Sequence, residues 1–565
     1  MATNLISGAE AMVRMLQLHG VDIIFGLCGD TTLPFYDALY RMGDNVTHVL
    51  TRDERHAGYM ADAYARMTGK VGVCEGPSGG GATYILPGLV EANESSIPVL
   101  AITTDISVSS RGRYALTELD QEALFGPLTK SSQVIDRGED VPRAVRHAFT
   151  EMTTGRPGAA HLGFPFDVQR APVEEDEIWA DPDLGRYPAR PVGPDPKSVE
   201  AAARAISEAT RPLIVCGGGV VIAGAEDELE RLAKKIDAPV ATTISGQGSI
   251  SDEHPLALGV VGSNGGTAPT RAVVDGADLI VFVACRAGSV TTERWQHPRP
   301  GAVRIVHIDV DPDVIGANYA AEAAVVGDAK LALAALANAV EEAPGGEREQ
   351  AARDIVSAAR KEKFEAFRKL AASDAVPILP ERIVADLQDV LPPDAVLVAD
   401  PGTPCPYLSA FYEQRRTGRN FISNRAHGAL GYSLPAVVGA YYGRPGVKCV
   451  AVMGDGSFAM AMGELETIAR LNLPVTLVVI SNSVFGWIKA GQKTGYDERY
   501  YSVDFTRTDH ATIAEGFGFK VWRVEQPHQL QPAFRAAIEA GEPTLVDIVT
   551  QPLQDANAPV SEWVA

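Results

Sequence analysis

The chain is predicted to be an α/β protein of three doubly wound parallel-sheet domains. Two observations carry this. Short apolar runs recur along the 565 residues, each followed by a glycine-containing turn and a stretch of helical periodicity. Strands that alternate with helices make parallel sheets covered on both faces. Two stretches then interrupt the pattern. Residues 171–195 are rich in proline and acid and read as a linker, and residues 341–372 are charged, alanine-rich and helical in composition. Domains are expected over residues 1–180, 190–345 and 365–565.

In the first domain, Ser7-Gly8-Ala9-Glu10 has the pattern of a capping box. A strand over 21–25 leads into the loop Gly26-Leu27-Cys28-Gly29-Asp30. Helices are expected over 33–41 and 53–66 and strands over 46–50 and 71–74. The glycine-rich loop 76–81 and a strand over 99–103 continue the alternation. In the second domain the strand over 213–215 runs into Gly217-Gly218-Gly219, and Ile305 to Gly316 forms another strand exit. The first and third domains read as one architecture used twice.

The third domain holds the stretch that organises the chain, Cys449 to Trp487. A buried strand, Cys449 to Met453, meets the tight turn Gly454-Asp455-Gly456-Ser457, which small residues fill easily. The following helix has Met462, Leu465, Ala469 and Leu471 on one face. A second buried strand over 475–480 ends in Ser481-Asn482-Ser483. Ligands of open parallel sheets collect at the carboxyl ends of strands, where Asp455 and Asn482 stand. Two oxygen ligands suit Mg2+ when phosphate oxygens and water fill its other positions. The backbone N–H groups of Gly456 and Ser457 can hold an anion. These residue types point to a Mg-diphosphate site.

Composition narrows the classes. The formal charge of -22 argues against binding to nucleic acid or to an anionic membrane. The 6 cysteines are scattered without a CxxC and read as free thiols, neither a disulfide frame nor a zinc site. No apolar run reaches membrane-spanning length and the N-terminus lacks a signal pattern, so a cytoplasmic protein is expected.

The Gly-Asp-Gly turn with Asn482 placed 27 residues after Asp455 resembles the motif of thiamine diphosphate enzymes. Further ordered stretches are similar to the acetolactate synthase, pyruvate oxidase, benzoylformate decarboxylase and pyruvate decarboxylase branch: GVDIIFGLCGD, ERHAGYMADAYARMTGKVGV, GRPGAAHLGFPFDV, ISGQGSISDEHPLALG, IVHIDVDPDVIG and GALGYSLPAVVGA. The resemblance implies pyrimidine-binding, central and diphosphate-binding domains in that order. It implies that Asp455, Asn482 and the carbonyl of Val484 bind Mg2+, and that Gly454, Gly456, Ser457, Phe485 and Gly486 line the cofactor. Asp400, Gly402 and Thr403 would add diphosphate contacts. Glu54 would hydrogen-bond N1′ of the aminopyrimidine, so that the 4′-nitrogen can deprotonate thiazolium C2. The Gly428 carbonyl would accept from the 4′-amino group, and Leu430 would wedge between the two rings.

On the substrate side, Gly29-Asp30 resembles the Gly-Asp of decarboxylases, in which the Asp moves protons. Their His-His pair is missing from residues 109–126. Gln121 resembles the active-site Gln of acetolactate synthases, but Pro165-Phe166-Asp167 stands where those enzymes read Pro-Lys-Asp. His56 and His427 read as structural groups or as acid–base groups. Cys28, Gln121, Phe166, Phe485 and Trp487 are expected around the substrate. The resemblance implies decarboxylation of a 2-oxo acid, pyruvate or a small homologue, with carboligation to a carbonyl acceptor. Alternatives are a non-ligating decarboxylase, an FAD-dependent oxidase, a C–C hydrolase of diketones, and a regulatory subunit without catalysis. The central domain would hold FAD, ADP or nothing. A site shared between subunits implies a homodimer at least, with a homotetramer expected.

Overall fold

A computed structural model describes residues 4–42, 44–342 and 346–563. The extreme ends of the first and third expected domains lie outside these residues, as does part of the alanine-rich stretch. Three six-stranded sheets are present, and every pairing within them is parallel. The three predicted sheets are therefore found.

The first sheet runs Thr47–Leu50, Ile23–Gly26, Gly72–Gly76, Val99–Asp105, Ala160–Pro165, Ser131–Val134 in spatial order. The third runs Phe421–Ser423, Val396–Ala399, Cys449–Gly454, Thr476–Ser481, Thr544–Val549, Lys520–Val524. Counted within each sheet, both have the order 2-1-3-4-6-5, so one architecture is indeed used twice. The central sheet differs. Ala257–Val260, Val240–Thr242, Pro212–Cys216, Leu279–Val283, Arg304–Asp309 and Ala323–Val326 follow the order 3-2-1-4-5-6. That is the order of dinucleotide-binding sheets, with the switch point between Pro212–Cys216 and Leu279–Val283.

The chain condenses into two compact units, and the division does not follow the sequence segments. One unit joins the chain up to Arg190 with Asn424–Gly446 and Ala461–Leu473; the other holds the rest. The helix Ser433–Gly443 explains the exchange. Its sequence, SLPAVVGAYYG, is apolar on nearly every side, and the helix is buried from Ser433 through Ala440. Such a helix needs cover all round. It packs on the helix Glu54–Thr68 of the first segment. The approach is close, because a Cβ at Gly439 would stand 2.0 Å from the Met60 carbonyl oxygen.

A buried polar network locks this pairing. Arg66 Nε donates to Asp62 at 2.8 Å, and Arg66 Nη2 donates to Glu91 at 3.1 Å. The hydroxyl of Tyr432, just ahead of the apolar helix, donates to Asp62. Buried carboxylates paired this way are costly to disturb.

Residues 171–195 are not a free linker. Pro172–Glu174 pairs antiparallel with Leu5–Ser7. Val173, Leu184, Tyr187 and Ala189 are buried, and the Tyr187 hydroxyl donates to the Ala65 carbonyl at 2.9 Å. Apolar residues spaced among the acids and prolines anchor the stretch. The capping box at Ser7 and Glu10 is present. The expected helix over the alanine-rich stretch forms as Glu347–Ala371. Among the described residues no helix is long and apolar enough to cross a membrane.

Replacing Gly439 by alanine should force the two helices apart at Met60 and destabilise the protein by about 2 kcal/mol. Thermal denaturation of the purified variant measures this.

Candidate active site

The site residues come from strand exits. In the second unit, the strand Cys449–Gly454 runs straight into the helix Asp455–Ala461, and Thr476–Ser481 lies beside it in register, Gly454 opposite Ile480. Parallel pairing therefore delivers Asp455 and Asn482 to the same edge. Asp455 is buried, and its carboxylate joins the two exits. Oδ1 accepts the Gly456 N–H at 2.9 Å; Oδ2 accepts the N–H groups of Asn482 at 2.8 Å and Ser483 at 2.6 Å. Ser483 has a left-handed backbone, φ 59°, which brings successive N–H groups onto one acceptor. Burial raises the Asp455 pKa, against the lowering effect of these three donors.

The neighbouring exit adds Asp400, which is fully buried and accepts the Ser457 hydroxyl at 3.0 Å. Gly402 follows with φ +92°, a conformation that suits glycine. Phe485 lies against the Gly-Asp-Gly turn, so a Cβ at Gly456 would stand 2.7 Å from its ring. Phe485 and Phe505 meet edge to face, as do Trp487 and Trp563. The Gly-Asp-Gly helix is shorter than the periodicity implied. It breaks at Met462–Glu464, and Met462 is exposed instead of sharing the buried face of Leu465.

The donor set fits a hard cation. The Asn482 side-chain amide has no hydrogen-bond partner among the described residues, and Asp455 Oδ1, with one donor, keeps acceptor capacity. One carboxylate, one amide oxygen and the Val484 carbonyl make an all-oxygen set, which suits Mg2+ bound largely through phosphate and water. No group of three or more His, Cys, Asp or Glu among the described residues is placed to hold a metal.

In the first unit, Glu54 opens the helix Glu54–Thr68, with Asp53 as its N-cap. It is 6% exposed. Burial raises its pKa, and the charges of Asp53 and Glu75 raise it further. The glycine-rich loop makes room for it: a Cβ at Gly76 would stand 3.2 Å from Glu54 Cγ, and one at Gly81 3.0 Å from Glu54 Oε1. The same unit holds Gly428 and Leu430. The His427 N–H donates to Glu91 at 2.8 Å, which ties this loop to the network beneath the Glu54 helix. Gly428 and Gly431 both have left-handed backbones.

The other predicted residues are placed differently. Asp30 is exposed and accepts its neighbour's N–H, from Thr31. Gln121 is buried, with both amide atoms engaged. Oε1 accepts the Thr103 hydroxyl at 2.5 Å, and Nε2 donates to the Thr104 carbonyl at 3.1 Å. The Thr104 hydroxyl in turn meets that of Thr31 at 2.8 Å, so Gln121 braces the loop that carries Asp30. His56 is buried with Nδ1 3.0 Å from Glu464, which also accepts the Arg52 N–H. His427 is exposed. Sequence reasoning missed Glu464, Glu75 and the Asp62–Arg66–Glu91 network. For Glu75 a signal existed, an acid closing an apolar strand.

Three family models match in order: the thiamine pyrophosphate enzyme N-terminal TPP binding domain over residues 6–124, the central domain over 199–336, and the C-terminal TPP binding domain over 400–548. Together they define a three-part thiamine pyrophosphate enzyme. The chain is 36% identical over 562 residues to the "Probable acetolactate synthase large subunit" of Methanocaldococcus jannaschii, covering 97% of this chain and 93% of that protein. It is 33% identical over 556 residues to the "Acetolactate synthase large subunit" of Corynebacterium glutamicum, covering 97% and 87%. The chain belongs to the thiamine pyrophosphate enzyme family, in its acetolactate synthase branch.

Because burial holds the Glu54 pKa above the ordinary 4.5, ionising it in the folded protein costs stability. That cost is absent below the unfolded value and grows as pH rises through the folded one. Glu54→Gln should therefore gain stability relative to wild type as pH rises from about 4 to 8. Thermal melts of the cofactor-free proteins across this range check the sign.

Proposed function

We propose that this protein is a thiamine diphosphate- and Mg2+-dependent enzyme that decarboxylates a 2-oxo acid, pyruvate or a small homologue, and joins the resulting acyl unit to a carbonyl acceptor. The observation that carries the reading is the buried carboxyl of Glu54, held at a helix start with glycines on two sides and a raised proton affinity. A carboxyl so placed suits proton sharing with a ring nitrogen. Thiamine diphosphate supplies the carbon nucleophile when bound.

The chain's own residues do the rest. Glu54 holds the proton at N1′ of the pyrimidine. The carbonyl of Gly428 would accept from the amino group, and Leu430 would pack between the two rings. Asp455, Asn482 and the Val484 carbonyl hold Mg2+. Gly454, Gly456, Ser457, Asp400, Gly402 and Thr403 face the diphosphate, with Phe485 and Gly486 closing the turn. Gln121 acts by bracing the Asp30 loop, and Asp30 moves protons on the substrate side. Residues 1–180, 190–345 and 365–565 are the pyrimidine-binding, central and diphosphate-binding segments. A nucleotide, FAD or ADP, is proposed for the central segment, supported by its strand order and by Gly217–Gly219 at the switch point. A homodimer at least, and a homotetramer in full, is the proposed assembly. Six free cysteines support a reducing, cytoplasmic location.

Purified protein loaded with thiamine diphosphate and Mg2+ and given pyruvate should yield CO2 and acetolactate or acetoin by NMR. Acetaldehyde alone would favour the non-ligating decarboxylase. Glu54→Gln should keep Mg-dependent cofactor binding and slow turnover by about 100-fold or more. Asp455→Ala should lose that binding in a calorimetric titration; unchanged affinity would refute the metal assignment.

A further inference from the structure

Gln121 ends a buried polar chain that crosses three neighbouring strands. Ser132, His161 and Thr103 stand on Ser131–Val134, Ala160–Pro165 and Val99–Asp105, which lie side by side. Ser132 Oγ is 3.0 Å from His161 Nδ1, and His161 Nε2 is 2.6 Å from the Thr103 hydroxyl. That hydroxyl is 2.5 Å from Gln121 Oε1, and Gln121 Nε2 is 3.1 Å from the Thr104 carbonyl. Thr103, His161 and Gln121 are buried. A buried histidine is costly unless its nitrogens are matched, and an apolar side chain would fill the same space.

Elementary chemistry gives the chain one direction. A carbonyl oxygen only accepts, so the amide nitrogen of Gln121 faces Thr104 and its oxygen faces Thr103. Thr103 has one hydroxyl proton and gives it to that oxygen, which leaves its own oxygen to accept from His161 Nε2. Burial lowers the His161 pKa to about 3, so the ring is neutral and its single N–H is on Nε2. Nδ1 then accepts from Ser132. The surroundings fit this order. A Cβ at Gly163 would stand 3.2 Å from Gln121 Oε1, so a glycine there leaves the amide its place. The Phe125 ring stacks on His161 with centroids 3.7 Å apart. Both ends of the helix Gln121–Phe125 therefore rest on this histidine, one directly and one through Thr103.

Residues 106–120 leave the strand just after Thr103 and Thr104 and return at Gln121, so the chain cinches the base of that segment. Beyond it the Thr104 hydroxyl meets Thr31 at 2.8 Å, Thr31 meets Ser78 at 3.2 Å, and Ser78 meets Thr117 at 2.7 Å. The segment 106–120, the Asp30 loop and the glycine-rich loop beside Glu54 are thus held by one set of hydroxyls. We propose that His161, acting through Thr103, is a positioning residue for Gln121, and that the directed chain Ser132–His161–Thr103–Gln121 sets these loops for the 2-oxo acid. This rests on the reading of the Asp30 loop as the substrate side of the site.

In cofactor-free protein carrying isotope-labelled histidine, NMR should show His161, assigned by its loss in His161→Gln, as the neutral Nε2–H tautomer with a slowly exchanging N–H. Thr103→Val keeps the shape of the side chain and removes the hydroxyl; it should abolish the slow exchange, and Thr103→Ser should restore it. In enzyme loaded with thiamine diphosphate and Mg2+, Thr103→Val should raise KM for pyruvate about 10-fold with cofactor affinity unchanged, and Thr103→Ser should recover it. If Thr103→Val does not fold, Ser132→Ala serves instead: it should move the Nδ1 resonance and raise KM by less. The Nδ1–H tautomer, or a wild-type KM in the folded variants, overturns the role of His161. Wild-type protein that shows the Nε2–H tautomer but turns over no 2-oxo acid refutes the substrate-side reading, and this role with it.

Discussion

A parallel sheet covered on both faces confines its polar chemistry to the ends of its strands. In this protein most side chains along the central strands are apolar and packed, and backbone pairing fills their interior. What is left to satisfy is the set of N–H groups where strands turn into loops and helices. Asp455 shows the consequence. Its carboxylate accepts three such groups and so binds one strand exit to the next. The residue suited to a divalent cation is also the residue that finishes the backbone hydrogen bonding of the turn.

The same constraint organises the first unit with different chemistry. Glu54 stands at a helix start beside glycines that leave it space and few partners. Asp455 accepts three backbone donors, whereas for Glu54 burial and the charges of Asp53 and Glu75 work against a single backbone hydrogen bond. Burial raises the proton affinity of both carboxyls. Behind Glu54 the Asp62, Arg66 and Glu91 network fixes the helix on which it sits and the loop of Gly428 and Leu430 together. The buried ion pairs thus matter for placement: they hold the Glu54 helix and the loop of Gly428 and Leu430.

Much of this was legible in the chain itself. The apolar runs and glycine turns determined three parallel sheets, and the Asp455–Asn482 spacing brought those two residues to one sheet edge, because strand burial and turn sterics are local properties. The helix start at Glu54 was legible, but its burial was not, since a glutamate at a helix start is ordinarily exposed. Tertiary structure alone decided the rest. It carried Asn424–Gly446 and Ala461–Leu473 into the first compact unit, because a helix apolar on all sides takes its cover from wherever the fold supplies it. It turned residues 171–195 from a linker into a clamp. It engaged both amide atoms of Gln121 and left Asp30 in solvent. It also set Glu75 across Gly26 onto Tyr36 and His48, a contact between strands that no pattern along one strand encodes. Local sequence fixes what a residue can do, whereas partners brought from distant segments fix its burial, its charge and therefore its task.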